Sequence, residues 1–295
     1  MPVPASTTSR SLMSALARRF VAAIALCALA GCGLNLLYPR LDSVVGFYLQ
    51  DLVTLDDAQA AALSQTLAGN LEWHRRSELV RYASFLRDLA GEVESGAGRE
   101  DWLAASRRTE EYWRDIFEQA APGYTALART FSDAQVDELL ANLAREDEET
   151  WQEFAERTPA QRAARREKTL ARALERFTGP LTPTQRAAVR AHVASSPSFM
   201  AQWRVNRRVW REALAGALSQ RTDGVEFERR MFVLIARPDD LWTPQYRAAV
   251  ERRREALAVL MADIDAQLTP QQRAAARRQF LALADEVQGL AARRG

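Results

Sequence analysis

The stretch "PLTPTQRAAVRAHV" at residues 180–193 is nearly repeated as "QLTPQQRAAARRQF" at residues 267–280. Each copy places Thr, Pro and Gln in an order typical of the start of an α-helix. The Thr side chain at the N-cap accepts a hydrogen bond from the amide three residues on, and the Gln at that position reaches back to the N-cap amide. Pro at the first helical position removes no donor that the helix needs. We therefore predict helices that begin after Thr182 and Thr269.

Four further copies of this motif, some of them looser, divide the rest of the chain. They lie at residues 56–62, 132–138, 158–164 and 243–249. In five of the six copies an apolar residue directly precedes the cap, as expected for a hydrophobic staple. The intervals between the copies are too irregular for a repeat solenoid. The motif thus predicts an irregular series of helices, about one for each interval.

The composition also favours an all-α fold. The 295 residues include only 13 Gly and 11 Pro, while Ala, Leu, Arg and Glu recur throughout, which is typical of helical proteins. We predict an irregular multi-helix bundle of roughly eight to ten helices. Of 40 basic residues three lie in the first 31, which contain no acid, so 37 basic residues face 38 acidic ones in the remainder. A nearly neutral chain argues against binding nucleic acid through a basic face.

Residues 1–31 have the pattern of a signal peptide. Arg18 and Arg19 precede an apolar run at residues 20–30, which is too short to span a bilayer comfortably. The segment would be removed from the mature protein.

The end of this segment, "LAGC" at residues 29–32, resembles the lipobox of bacterial lipoproteins. That resemblance implies cleavage between Gly31 and Cys32 and acylation of Cys32, and two or three acyl chains give a stable anchor. The alternative is an unmodified cysteine near an ordinary cleavage site. Gly33 resembles the default signal for sorting to the outer membrane in Gram-negative bacteria. We therefore expect a protein anchored in the cell envelope, at the outer membrane and facing the periplasm.

The mature chain is expected to have two parts. Residues 32–53 are the lipidated Cys and a tether, which we expect to dock on the body or on the lipid surface. Residues 54–293 contain no convincing linker, and we predict that they form a single helical domain. In its second long helix, Trp113 and Phe117 lie on an apolar stripe, and we expect Trp113 to turn inward from the charged stretch "RRTEEYWRD".

Four polar side chains fall on stripes that are otherwise apolar. His74 and Glu78 are four residues apart and so share one helical face, and Asp147 and either Asn206 or Arg207 interrupt two other helices. One interpretation is a polar layer in which every charge is paired and which fixes the register of the helices. A second is a site for a ligand or for acid/base chemistry around His74, and a third is packing against another protein.

Other chemistry has little support in the sequence. We find no HExxH motif, no clustered Cys and His at metal-ligand spacing, no GxSxG elbow and no Gly-rich phosphate loop. We predict no metal and no cofactor, and nothing in the pattern requires an enzyme.

The segment "YLQDLVTLDDAQAAALSQTLAGNLEWHRRSELVRYASFLRDL", after the lipobox, resembles an uncharacterised family of proteobacterial lipoproteins. The resemblance implies an all-helical mature domain and carries no known activity. The short "LTPTQR" and "LTPQQR" motifs are similar to the LTxxQ signature of Spy-like periplasmic chaperones. Our hypothesis is a lipid-anchored envelope protein that binds other envelope proteins, as a chaperone-like or structural component. The alternative is a small-ligand receptor or an enzyme that uses His74 and Glu78.

Overall fold

The chain folds into helices joined by short connections. The structure, a computed structural model, describes residues 38–293. Within that range it contains ten helices and no strand, which confirms the predicted all-α bundle. One of the ten is long and contains α2, a π-helical turn and α3 without a break. The α-helical segments are α1 (Leu41–Leu52), α2 (Asp57–Trp73), α3 (Leu79–Ser95), α4 (Arg99–Arg129), α5 (Asp133–Ala155), α6 (Pro159–Thr178), α7 (Pro183–Ser195), α8 (Met200–Leu218), α9 (Gly224–Ala236), α10 (Pro244–Ala266) and α11 (Pro270–Ala292).

The repeated motif begins helices, as predicted. Complete capping boxes form at Asp56, Ser132, Thr158, Thr182 and Thr269. The sixth copy differs because Tyr246 stands where the others have Gln, and Thr243 caps α10 without a box. Buried Asn206 of α8 supplies the missing acceptor, since its Oδ1 lies 2.9 Å from the Thr243 amide nitrogen.

The capping glutamines have a second role that joins distant helices. The side-chain amide of Gln185 donates to Gln272 Oε1 at 2.9 Å, and that of Gln272 donates back to Gln185 Oε1 at 3.0 Å. Each also donates to a backbone carbonyl two residues before its partner's cap, at Gln267 and Pro180. The starts of α7 and α11 are therefore held together by a closed ring of side-chain amides.

The same arrangement joins the starts of α2 and α5. Gln59 and Gln135 exchange side-chain hydrogen bonds of 3.2 and 2.6 Å. Again each donates to a carbonyl two residues before the partner's cap, at Thr130 and Thr54. Gln, unlike Glu, both donates and accepts, so it can complete the box and the pair together.

Helix α4 is the longest α-helical segment of the described chain, at 31 residues, and its neighbours pack along it. Helix α2 packs closely against the C-terminal part of α4: a Cβ added to Gly123 of α4 would lie only 2.4 Å from Cγ2 of Thr66 of α2. On another side α9 and α10 run antiparallel to α4, with ion pairs from Arg237 to Glu118 and from Arg254 to Glu110.

The buried apolar residues form three clusters. The largest joins α1, α2, α4, α5, α8 and α9 around Leu63, Leu218 and Phe227. A second lies among α6, α7 and α10. The third lies where the described chain begins, and it brings Tyr38 against Leu79 of α3 and Leu290 of α11. Within residues 38–293, no helix is both long and apolar enough to cross a bilayer.

Candidate functional site

The predicted polar pair lies in a π-helical turn, His74–Glu78, that joins α2 to α3. Such turns are rare and occur frequently at functional sites. In the sequence, Leu71, Leu79 and Tyr82 keep helical spacing across this segment. The apolar pattern therefore predicts a regular α-helix here and gives no signal for the π turn.

His74 is bonded to Tyr38, which lies 36 residues earlier in the chain. The Tyr38 hydroxyl and His74 Nδ1 share a hydrogen bond of 3.0 Å, and the two rings stack with centroids 5.8 Å apart. Tyr38 is itself buried, and burial raises its pKa above the ordinary range for a tyrosine. The beginning of the described chain is thus fixed to the middle of the long helix.

A row of aromatic rings leads from the imidazole of His74 to α4. Tyr82 meets His74 edge-on at 5.4 Å, and Tyr112 of α4 packs on Tyr82 at 4.8 Å. Burial lowers the pKa of His74 to about 4, so the ring is neutral at pH 7. A neutral histidine between two tyrosines acts here as a hydrogen-bonding and packing group.

Glu78 has different partners. Its side chain is almost wholly buried, and both of its carboxylate oxygens lie 2.9 Å from one terminal nitrogen of Arg81. The same nitrogen lies 2.6 Å from Asp115 of α4, and the Arg81 guanidinium covers the Tyr112 ring at 4.9 Å. Arg81 supplies the opposite charge that the buried carboxylate of Glu78 needs. Through Arg81, Glu78 also helps to hold α3 against α4.

Asp147 and Arg207 meet, but in another part of the bundle. Arg207 of α8 donates to Asp147 of α5 at 2.9 Å, and Arg211 forms a second ion pair with Asp147, also at 2.9 Å. In the part of the chain that the structure describes, no hydrogen bond, ion pair or ring contact joins this group to His74 or Glu78. The four candidates thus form two separate structural groups.

The geometry offers little to ligand or acid/base chemistry at His74. A groove of about 190 Å³ lies between α1 and α2, and neither His74 nor Glu78 lines it. From Tyr38 to Arg293, no group of three or more His, Cys, Asp or Glu side chains is arranged to hold a metal ion. Each of the polar side chains described here is paired or packed by neighbours from its own or another helix.

An exposed aromatic pair was missed by our sequence analysis. Trp113 and Phe117 of α4 stack with ring centroids 6.1 Å apart, and they are 57% and 42% exposed. The prediction that Trp113 turns inward is wrong, because Tyr112 takes the inward position. Adjacent residues of an α-helix point about 100° apart, so Tyr112 directs Trp113 towards the surface.

The predicted cleavage and lipidation residues, Gly31 and Cys32, lie outside the described residues, and lipidation stays a prediction. The family model of DUF6279, a family of unknown function, matches residues 51–247. No curated protein and no solved structure shows significant similarity to the chain.

Proposed function

The chain belongs to DUF6279, a family of unknown function, and we propose that it is a lipid-anchored protein of the cell envelope that binds another protein through Trp113 and Phe117. The anchor rests on the signal peptide and on the lipobox-like residues 29–32. Envelope location, at the outer membrane and facing the periplasm, follows from the same residues and from Gly33.

The exposed aromatic pair is the observation that carries the binding function. Burying large aromatic side chains against a partner is favourable because it removes apolar area from water. Trp is also enriched among the residues that dominate binding energy. Trp113 and Phe117 are one helical turn apart and stacked, so they present one continuous apolar ledge. Arg114 and Glu118, beside the ledge, form ion pairs with Asp239 and Arg237, which lie just after α9.

The motif similar to LTxxQ has a different use. Thr182, Gln185, Thr269 and Gln272 are all engaged in helix caps and in the glutamine ring. The surface that we propose for binding therefore lies on α4, away from the motif.

The binding function is tested by photocrosslinking in intact cells. A benzophenone amino acid at position 113 should yield discrete adducts that mass spectrometry can identify. Val225, 83% exposed and on α9, is the matched control position. Adducts at 113 should disappear when Phe117 is also replaced by Ser. Equal adducts at 113 and 225, or adducts indifferent to Phe117→Ser, would reject the ledge as a binding surface.

The anchor is tested separately by Cys32→Ala. The wild type should incorporate radiolabelled palmitate and sediment with membranes, whereas the variant should be unlabelled and released or left unprocessed. Equal labelling of both proteins would contradict lipidation at Cys32.

A further inference from the structure

The outer surface of α1 and α2 lacks charge over most of its length. Residues 43–50 and 58–71 contain no Asp, Glu, Lys or Arg, in a chain of which 26% is charged. The groove between the two helices shows that these stretches form one continuous surface. Its lining includes Ser43, Phe47 and Gln50 from α1 and Ala60 and Ser64 from α2, and Asp42 at the start of α1 is its one charged member. We call this groove and its rims the α1–α2 surface.

Phe47 stands out on this surface. It is 70% exposed, although most of the apolar residues around it on α1 are at least partly buried. The helix itself is firmly placed, because Leu52 belongs to the main core and Tyr48 donates a hydrogen bond of 3.0 Å to Glu146 of α5. Phe47 therefore projects from a rigid helix.

The position of the predicted lipid anchor limits what can lie next to this surface. Cys32 precedes Tyr38 by six residues, which span at most about 20 Å when fully extended. Tyr38 is buried and bonded to His74, so the tether reaches the body at a fixed point. That point is the π turn, midway along the helix that runs over residues 57–95. An anchor at mid-length holds the side of the bundle, not an end, close to the lipid.

Helix α1 starts directly beyond this point and runs along α2, away from the π turn. Gly46 of α1 faces Leu67 of α2, and the groove continues to Ala60. Around the tether point, Arg40 is exposed, and the side chain of Arg76, which pairs with Glu72 of α2, is 76% exposed. Exposed arginines beside a surface with a single charged residue and a protruding Phe match the chemistry of a bilayer surface, where arginines meet phosphate groups while apolar side chains enter the interface.

We propose that the α1–α2 surface lies on the lipid bilayer in the anchored protein, with Phe47 inserted among the lipid headgroups. The proposal rests on the lipid anchor of the proposed function. A bilayer is favoured over a second copy of the chain because the short tether brings lipid within reach of this side of every anchored molecule. A protein partner would have to fit between this surface and the bilayer, in the short distance that the tether allows.

The test uses the full-length, lipidated protein with Phe47→Cys, labelled with an NBD fluorophore and reconstituted in phosphatidylethanolamine and phosphatidylglycerol vesicles. Since Phe47 is mostly exposed, the change should leave the fold intact, and Cys32 is blocked by its acyl group. Val225→Cys, labelled in the same way, is the control. We expect blue-shifted emission at residue 47 that lipids with a shallow spin label quench, and aqueous, unquenched emission at residue 225.

Vesicle flotation separates the possible failures. Protein that floats while the probe at residue 47 behaves like that at residue 225 would overturn the docking and leave the anchor standing. Protein that does not float would remove the anchor and the docking together. Emission at residue 47 that shifts with protein concentration but ignores the lipid quencher would identify a second copy as the occupant, and would also overturn the proposal.

Discussion

Gln185 and Gln272, 87 residues apart in sequence, donate to each other's side-chain oxygens while each completes the cap of its own helix. Gln185 is fully buried, so neither water nor a rearranged side chain can replace its partner. This pairing gives a reason for Gln at positions 185 and 272, where a capping box alone would accept Glu.

Replacing Gln185 by Glu should therefore destabilise the fold by about 2–3 kcal/mol, because a carboxylate keeps the cap but leaves two buried acceptors facing each other. Gln161 has the same place in a capping box, but it is exposed and its side chain makes no contact with another capping Gln. Gln161→Glu should change stability by less than about 0.5 kcal/mol. Urea unfolding of both variants measures the difference, and equal losses would show that the pairing is irrelevant.

Because α2 and α4 lie so close together, adding a single methyl group at Gly123 should destabilise the fold. Gly123→Ala would drive Cβ against Thr66, and overpacking of this kind destabilises by about 1–3 kcal/mol. Gly216 of α8 has open space around it, so Gly216→Ala should stabilise by about 0.5–1 kcal/mol through helix propensity. Thr66→Ser should rescue Gly123→Ala in part, as judged by thermal unfolding. A Gly123→Ala protein as stable as the wild type would refute the packing argument.

The buried charge of Asp147 should matter more than that of its neighbour Glu148. Asp147→Ala would leave Arg207 and Arg211 without their shared carboxylate, and we expect a loss of about 1–3 kcal/mol, since both arginines are partly exposed. Glu148 pairs with Arg204 on the surface, and Glu148→Ala should cost less than about 1 kcal/mol. Chemical denaturation of the two variants should rank them in this order, and the reverse ranking would show that the Asp147 pairs are not stabilising.

Acid should weaken the contact between Tyr38 and His74. In the unfolded chain His74 gains a proton below its ordinary pKa of 6.5, but in the folded protein only below about 4. The unfolded state binds more protons between these values, so stability should fall as the pH is lowered through this window, by up to roughly 3 kcal/mol. The expected signature is a weaker pH dependence of the unfolding midpoint in His74→Gln, which keeps a polar group near Tyr38 and does not titrate.

The chain contains only one other histidine, His192, and it provides the control. Its pKa is also lowered by burial and by nearby arginines, but it lies in α7, and the contact with Tyr38 is made by His74. His192→Gln should therefore retain most of the dependence that His74→Gln loses. Parallel pH profiles for the wild type and His74→Gln would remove His74 as the cause.

The helix starts could be predicted from sequence because a cap is local: Thr182 and Gln185 lie within one turn and satisfy each other's backbone. The pairing of Gln185 with Gln272 could not, since it depends on which helix ends meet in space. For the same reason the sequence could show that His74 and Asp147 lie on buried stripes but not that their partners differ. The error at Trp113 arose because Tyr112 and Trp113 are both aromatic, and the pattern alone does not decide which of them faces the core.

The π turn also sets an angle. It adds about one residue to the helical path, so that α3 is rotated by about 100° relative to the course that α2 would have followed. In the continuous helix over residues 57–95, the α2 part can then pack closely on α4 at Thr66. The α3 part, after Glu78, packs on α11 through a different face. The number of residues between Trp73 and Leu79 thus determines the rotation of α3 about the helix axis relative to α2. Deleting one of them would turn the 17 residues of α3 together and leave α2 as it is.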